Sequence, residues 1–196
     1  MSLYPTPCVL FAGGKSSRMG EDKAFLPFGR HESLIEYQVE RLKDIFAHVY
    51  VSAKDAKKFK DVDTLVIEDL VHNQVSAPTV GFLNIFRQLK AENSFFVLSV
   101  DTPFVDKFII NKLLEADNEN YDAIIVRTPS GTHPLCGIYT RGLEVKMEEM
   151  VEKGEHKLMH LLERSNVCYI DVDNEHLLSN LNTPQEYQKA LKTSKS

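Results

Sequence analysis

No run of apolar residues in this chain approaches the roughly 18 needed to cross a bilayer, and the amino-terminal MSLYPTP has neither a basic segment nor a long apolar core. A soluble, cytoplasmic protein with no membrane partner is expected. Cysteine is scarce: Cys8, Cys136 and Cys168 are three, far apart and without a CxxC pair, which excludes a disulfide framework and a structural zinc site and predicts reduced, buried thiols. Basic charge is also short, because 23 Lys and Arg face 28 Asp and Glu for a formal net charge of −5. With no basic stripe beyond one glycine-rich segment and a short tail, a nucleotide is a better partner than a nucleic acid.

That glycine-rich segment is FAGGKSSRMGEDK, residues 11–23. The apolar run CVLFA ends abruptly at Gly13 and Gly14, as a buried strand ends where its backbone must turn. Without a Cβ, the glycines let a phosphate approach the backbone, and successive N–H groups in such a turn form an anion-binding concavity. Ser16 and Ser17 add hydroxyl donors; Lys15, Arg18 and Lys23 add positive charge. At an effective dielectric of about 20, a cation roughly 4 Å from a phosphate oxygen gains about 4 kcal/mol before desolvation. Two commoner fingerprints fail on spacing. A Walker A loop ending in Gly14-Lys15-Ser16 needs glycine where Val9 stands, and Gly13, Gly14 and Gly20 do not make GxGxxG, with Pro27 interrupting the crossover helix.

Strand-like and helix-like segments alternate along the chain, the pattern of one α/β domain with a largely parallel sheet flanked by helices. Ser33 and Glu36 form a capping box for a helix running to about residue 46, with Ile35, Val39, Leu42 and Phe46 at helical spacing. Residues 48–53, 64–69 and 94–101 read as strands, and Gly81 should precede a helix after a turn at Pro78. Ligands of open α/β sheets bind outside the carboxyl ends of strands, where Gly13, Ser52, Asp69 and Asp101 would emerge. Asp101 follows the apolar run FFVLSV, where an aspartate is costly unless paired; it either caps a helix beginning near Phe104 or holds a metal. Thr183 and Glu186 predict a capped helix start beside Asn180 and Asn182. His156 and His160, four apart on a predicted helix, lack a third ligand and read as a solvated face.

FAGGKSSRMGEDKAFL resembles the LAGGxSxRMGxDKxLL pattern of molybdenum cofactor guanylyltransferases. VIED (66–69), APTVG (77–81), SVDTPF (99–104), HPLCGIY (133–139) and NLNTPQEY (180–187) follow in that family's order. The resemblance implies a Rossmann-like nucleotidyltransferase fold over a single domain, residues 1–196, with a nucleotide half at roughly 7–105, an acceptor half at roughly 106–191 and a disordered tail at 192–196. It implies transfer of GMP from GTP to molybdopterin with Mg2+ and release of pyrophosphate. Other cofactor-biosynthesis and molybdoenzyme-maturation proteins become possible partners. The implied nucleotide set is Phe11, Ala12, Gly13, Gly14, Lys15, Ser16, Lys23, Ser52, Asp69 and Asp101. Arg18, Lys23 and Asp101 are the implied catalytic residues, with Asp101 on the metal, and His133, Pro134, Lys157, Asn180 and Asn182 face the acceptor. Ser52 stands where relatives often carry asparagine, Ala77 where they carry glycine, and Lys157 where they carry one of two arginines. The second glycine of Ala12-Gly13-Gly14 favours GTP over CTP in the family. A cytidylyltransferase, a sugar-phosphate nucleotidyltransferase and a noncatalytic nucleotide sensor are the alternative readings.

Overall fold

The structure, a computed structural model, describes residues 3–13, 22–68, 77–116 and 120–193. Its first strand, β1 (Cys8–Phe11), is apolar on both faces because both are covered: Cys8 and Leu10 enter one core, Val9 and Phe11 the other. The remaining strands are β2 (Val49–Ala53), β3 (Leu65–Glu68), β4 (Ser94–Ser99), β5 (Ala123–Thr128), β6 (Gly131–Thr140) and β7 (Val167–Asp171). They form one sheet in the order β3-β2-β1-β4-β6-β5-β7. Only β6 runs antiparallel to its neighbours; the other pairings are parallel, so the expected largely parallel α/β sheet is what forms.

Six α-helices occur among the described residues: α1 (Leu34–Lys43), α2 (Pro78–Gln88), α3 (Lys107–Ala116), α4 (Glu144–Glu152), α5 (Leu158–Glu163) and α6 (Pro184–Thr193). Buried side chains of α1, α3 and α6 pack on one sheet face; those of α2, α4 and α5 pack on the other. None of these helices is long and apolar enough to cross a membrane.

Both predicted capping boxes form. The Ser33 hydroxyl accepts from the Glu36 amide while the Ser33 amide donates to the Glu36 carboxylate, and Thr183 and Glu186 repeat the exchange before α6. Four expectations are corrected. α1 stops at Lys43 because the backbone at 45–47 is taken by Tyr4, whose amide donates to Ile45 and whose carbonyl accepts from Ala47. Pro78 opens α2 and Gly81 lies inside it. Lys192 and Thr193 belong to α6, not to a disordered tail. Finally, Cys8 and Cys136 are buried and unbridged as expected, but Cys168 is only partly buried.

Candidate active site

The carboxyl ends of β1, β2 and β4 lie level, since Phe11 pairs with Ser52 on one side and Ser99 on the other. Their continuations therefore rise together over one edge of the sheet. Val100 donates its amide to the Phe11 carbonyl at 3.0 Å, and Ala12 donates to the Ser52 carbonyl at 2.9 Å, which fixes Phe11, Ala12 and Gly13 beside the turn bearing Asp101.

Lys23 reaches this turn from a short helical turn, Lys23–Phe25, capped by the Asp22 carboxylate on the Ala24 amide. Ala24 is buried and Phe25 packs on Phe59 with ring centroids 5.1 Å apart, so the lysine has an apolar footing. The Lys23 ammonium donates to Asp101 Oδ2 at 2.8 Å and to Asn182 Oδ1 at 2.9 Å. The other carboxylate oxygen, Asp101 Oδ1, accepts from the Ser99 hydroxyl at 2.6 Å. Leu181 donates its amide to the Asp101 carbonyl at 2.9 Å, tying the segment carrying Asn180 and Asn182 to the same turn. The Lys23 and Asp101 side chains are 13% and 16% exposed. Such a partly desolvated, charge-assisted contact is stronger than an open surface pair. Asp101 caps no helix, because Asp106 takes that role, accepting from the Ile109 amide at the start of α3.

The expected acceptor residues divide into two groups. His133, Pro134 and Asn180 line a cavity of about 260 Å³ that also touches Ser99 and Asp101. Asn180 is shared with a neighbouring cavity of about 380 Å³ reaching Asn182, Phe104, His176 and Lys189. The His133 ring shares a 2.9 Å hydrogen bond with the Thr128 hydroxyl. Its burial pulls its pKa down, with Glu175 opposing. Lys157 lines neither cavity; it is the exposed N-cap residue of α5. The two histidines near it are not on one helix face as expected. His156 precedes α5 and bonds through Nδ1 to the buried Thr79 hydroxyl of α2 at 2.7 Å, whereas His160 lies in α5 beside Glu155.

Ser52 is buried against α2: a Cβ built on Gly81 would come within 3.2 Å of its hydroxyl and 2.7 Å of the Phe11 ring. Gly14, Lys15, Ser16, Arg18 and Asp69 lie outside the described residues. Ser99, the direct partner of Asp101, was not singled out from sequence although it opens SVDTPF; a hydroxyl two residues before the aspartate was the available clue.

Gly13 leaving the end of β1, a lysine and an aspartate meeting beyond β4, and an amide arriving from the far end of the chain are the parts of an α/β nucleotidyltransferase. The chain belongs to the family of MobA-like NTP transferase domains, whose family model matches residues 8–168. A Campylobacter jejuni subsp. doylei protein named molybdenum cofactor guanylyltransferase is 38% identical over 96% of this chain and 97% of its own length. A Helicobacter pylori protein of the same name is 30% identical over 94% of this chain and 88% of its own. Among solved structures, an Aquifex aeolicus protein is 31% identical with a TM-score of 0.77, covering 91% of this chain and 94% of that one. The Archaeoglobus fulgidus molybdopterin-guanine dinucleotide biosynthesis protein A superposes with a TM-score of 0.81 at 22% identity, covering 96% and 98%, and attests the fold.

Proposed function

We propose that this chain is a cytoplasmic, Mg2+-dependent molybdenum cofactor guanylyltransferase, joining GMP from GTP to the phosphate of molybdopterin and releasing pyrophosphate. The observation that carries it is the meeting of Lys23, Asp101 and Asn182, which brings the nucleotide-side and acceptor-side segments to one point. The guanylyltransferase names of relatives covering nearly the whole chain support the choice of substrates.

Mg2+ fits the donor set. It is commonly bound by one or two carboxylates with substrate phosphates and water completing its shell, so Asp101 suffices even though the described residues contain no cluster of three or more His, Cys, Asp or Glu. Bound by Asp101, the ion would offset phosphate charge. Ser99 keeps that carboxylate oriented. In the reaction, an acceptor phosphate oxygen forms a bond to the α-phosphorus of GTP as the bond from that phosphorus to the pyrophosphate oxygen breaks. The acceptor phosphate is already ionised near neutral pH, so no general base is required. Lys23 and Arg18 stabilise charge on the transferring and leaving groups, and Asn182 holds Lys23 in place; catalysis is positioning and electrostatics. Phe11, Ala12, Gly13, Gly14, Lys15, Ser16, Ser52 and Asp69 form the nucleotide side. His133, Pro134, Asn180 and Asn182 form the acceptor side, with Lys157 a more distant contributor.

Purified protein mixed with molybdopterin, Mg2+ and either GTP or CTP tests this directly. Pyrophosphate release and guanine dinucleotide formation with GTP are expected. Preference for CTP would reassign the base, and no release with either nucleotide would remove the function.

A further inference from the structure

The inward stripe of α1 contains one residue that packing alone does not explain. Leu34, Ile35, Val39 and Leu42 are apolar and buried, yet Gln38, in their midst, is fully buried too. Both ends of its amide are used: Nε2 donates to the Val100 carbonyl at 3.0 Å, and Oε1 accepts from Arg41 Nε at 2.6 Å. The opposite amide orientation would set oxygen against oxygen and donor against donor. Arg41 then donates from Nη1 to the Val105 carbonyl at 2.6 Å.

Arg41 is an expensive residue in this place. Its Nη2 is sealed from solvent with no hydrogen-bond partner, and no carboxylate pairs with it among the described residues. Burial pulls its pKa down, opposed by Tyr37, whose ring centre lies 5.8 Å from the guanidinium carbon, and by Cys8, Cys136 and Asp106. A largely desolvated cation with no carboxylate in contact costs stability, so its retention here calls for a reason beyond packing. What the two side chains hold are the carbonyls of Val100 and Val105, which bracket the turn bearing Asp101.

We propose that Gln38 and Arg41 are positioning residues that clamp the Val100–Val105 turn from beneath and so fix where the Asp101 carboxylate stands. The importance of that placement for metal binding rests on the reading of Asp101 given under the proposed function. Other ties of the turn run to β1, through Val100 to Phe11, and to the α6 approach, through Leu181 to Asp101. The clamp adds α1 as a third support. With it, Asp101 meets Lys23 and Ser99 in a preset geometry instead of one selected when ligands arrive.

Two readouts test this in the full-length protein. Hydrogen exchange of the peptide spanning residues 99–105, where Val100 and Thr102 donate to the Phe11 and Ser99 carbonyls, reports the turn without any metal. Mn2+ titrated at saturating GTP reports the carboxylate. Arg41→Met, with its retained bulk, is expected to speed exchange of that peptide at least tenfold while the sheet stays protected, and to weaken Mn2+ binding about tenfold. Gln38→Glu, which keeps a partner for Arg41 but loses the donor to Val100, should do the same in a well-folded protein; Arg41→Lys should restore part of the loss. Unchanged exchange at 99–105 would overturn the clamp. So would exchange rising equally throughout the sheet, which marks a purely structural role. Asp101→Asn separates the two ideas: if it leaves Mn2+ binding intact, the metal reading fails and the clamp is judged by exchange alone.

Discussion

Lys23 is held by acceptors 78 and 159 residues away in sequence, so its loss acts on both halves of the site. Lys23→Ala should lower kcat with GTP by roughly 10²–10³-fold, the scale for removing one preorganised charge-stabilising donor; full turnover at saturating and subsaturating GTP would reject the role. Asp101→Asn keeps shape but removes the charge and one of the two acceptor oxygens, and should abolish the Mg2+ dependence of whatever rate remains. His133 gives a pH signature. Its folded pKa is lowered by burial, so the unfolded chain takes up the proton first as pH falls through about 6.5. Stability from this residue is complete above that point and declines below it, until the folded ring also protonates. His133→Gln should therefore remove part of the fall in Tm between pH 7.5 and 5.5; because the ring is only half-buried the effect is small, and parallel Tm profiles would exclude it.

At the scale of elements, the contact between Thr79 of α2 and His156 before α5 joins a helix near the nucleotide side to the loop that carries Lys157. Thr79→Val keeps the buried shape but strands the imidazole nitrogen, and should cost about 1–2 kcal/mol in urea unfolding; an unchanged midpoint would mean the ring finds water instead. This link was not legible in the sequence, since the partners are 77 residues apart and the spacing of His156 and His160 suggested one helix face. Local chemistry was more readable: both capping boxes and the strands at 49–53, 65–68 and 94–99 follow from patterns only a few residues long. Glycine usually marks a helix boundary, whereas Gly81 lies inside α2, at the end of its first turn, where it admits the Phe11 ring. Asp101 was read as either a helix cap or a site residue. Asp106 removes the cap reading by taking the cap five residues later, a competition that pattern alone cannot decide.

At the scale of the molecule, the sheet crosses the boundary between the proposed nucleotide and acceptor halves. β6, from the second half, lies between β4 and β5, and Cys136 on β6 pairs with Leu98 on β4. Cys8 on β1 and Cys136 on β6 share one core, although they come from opposite halves. Burial raises the pKa of both thiols, that of Cys136 to about 12, so neither forms thiolate while the core is closed. Cys168 on the outermost strand, β7, is only partly buried. If the halves unfold as one cooperative unit, thiol labelling through a urea series should give Cys8 and Cys136 a common midpoint, with Cys168 reacting at lower urea through local fraying. Mass spectrometry of labelled peptides distinguishes the three positions. Separate midpoints for Cys8 and Cys136 would show that the halves unfold independently, and that the Lys23, Asp101 and Asn182 contacts join two units instead of crowning one.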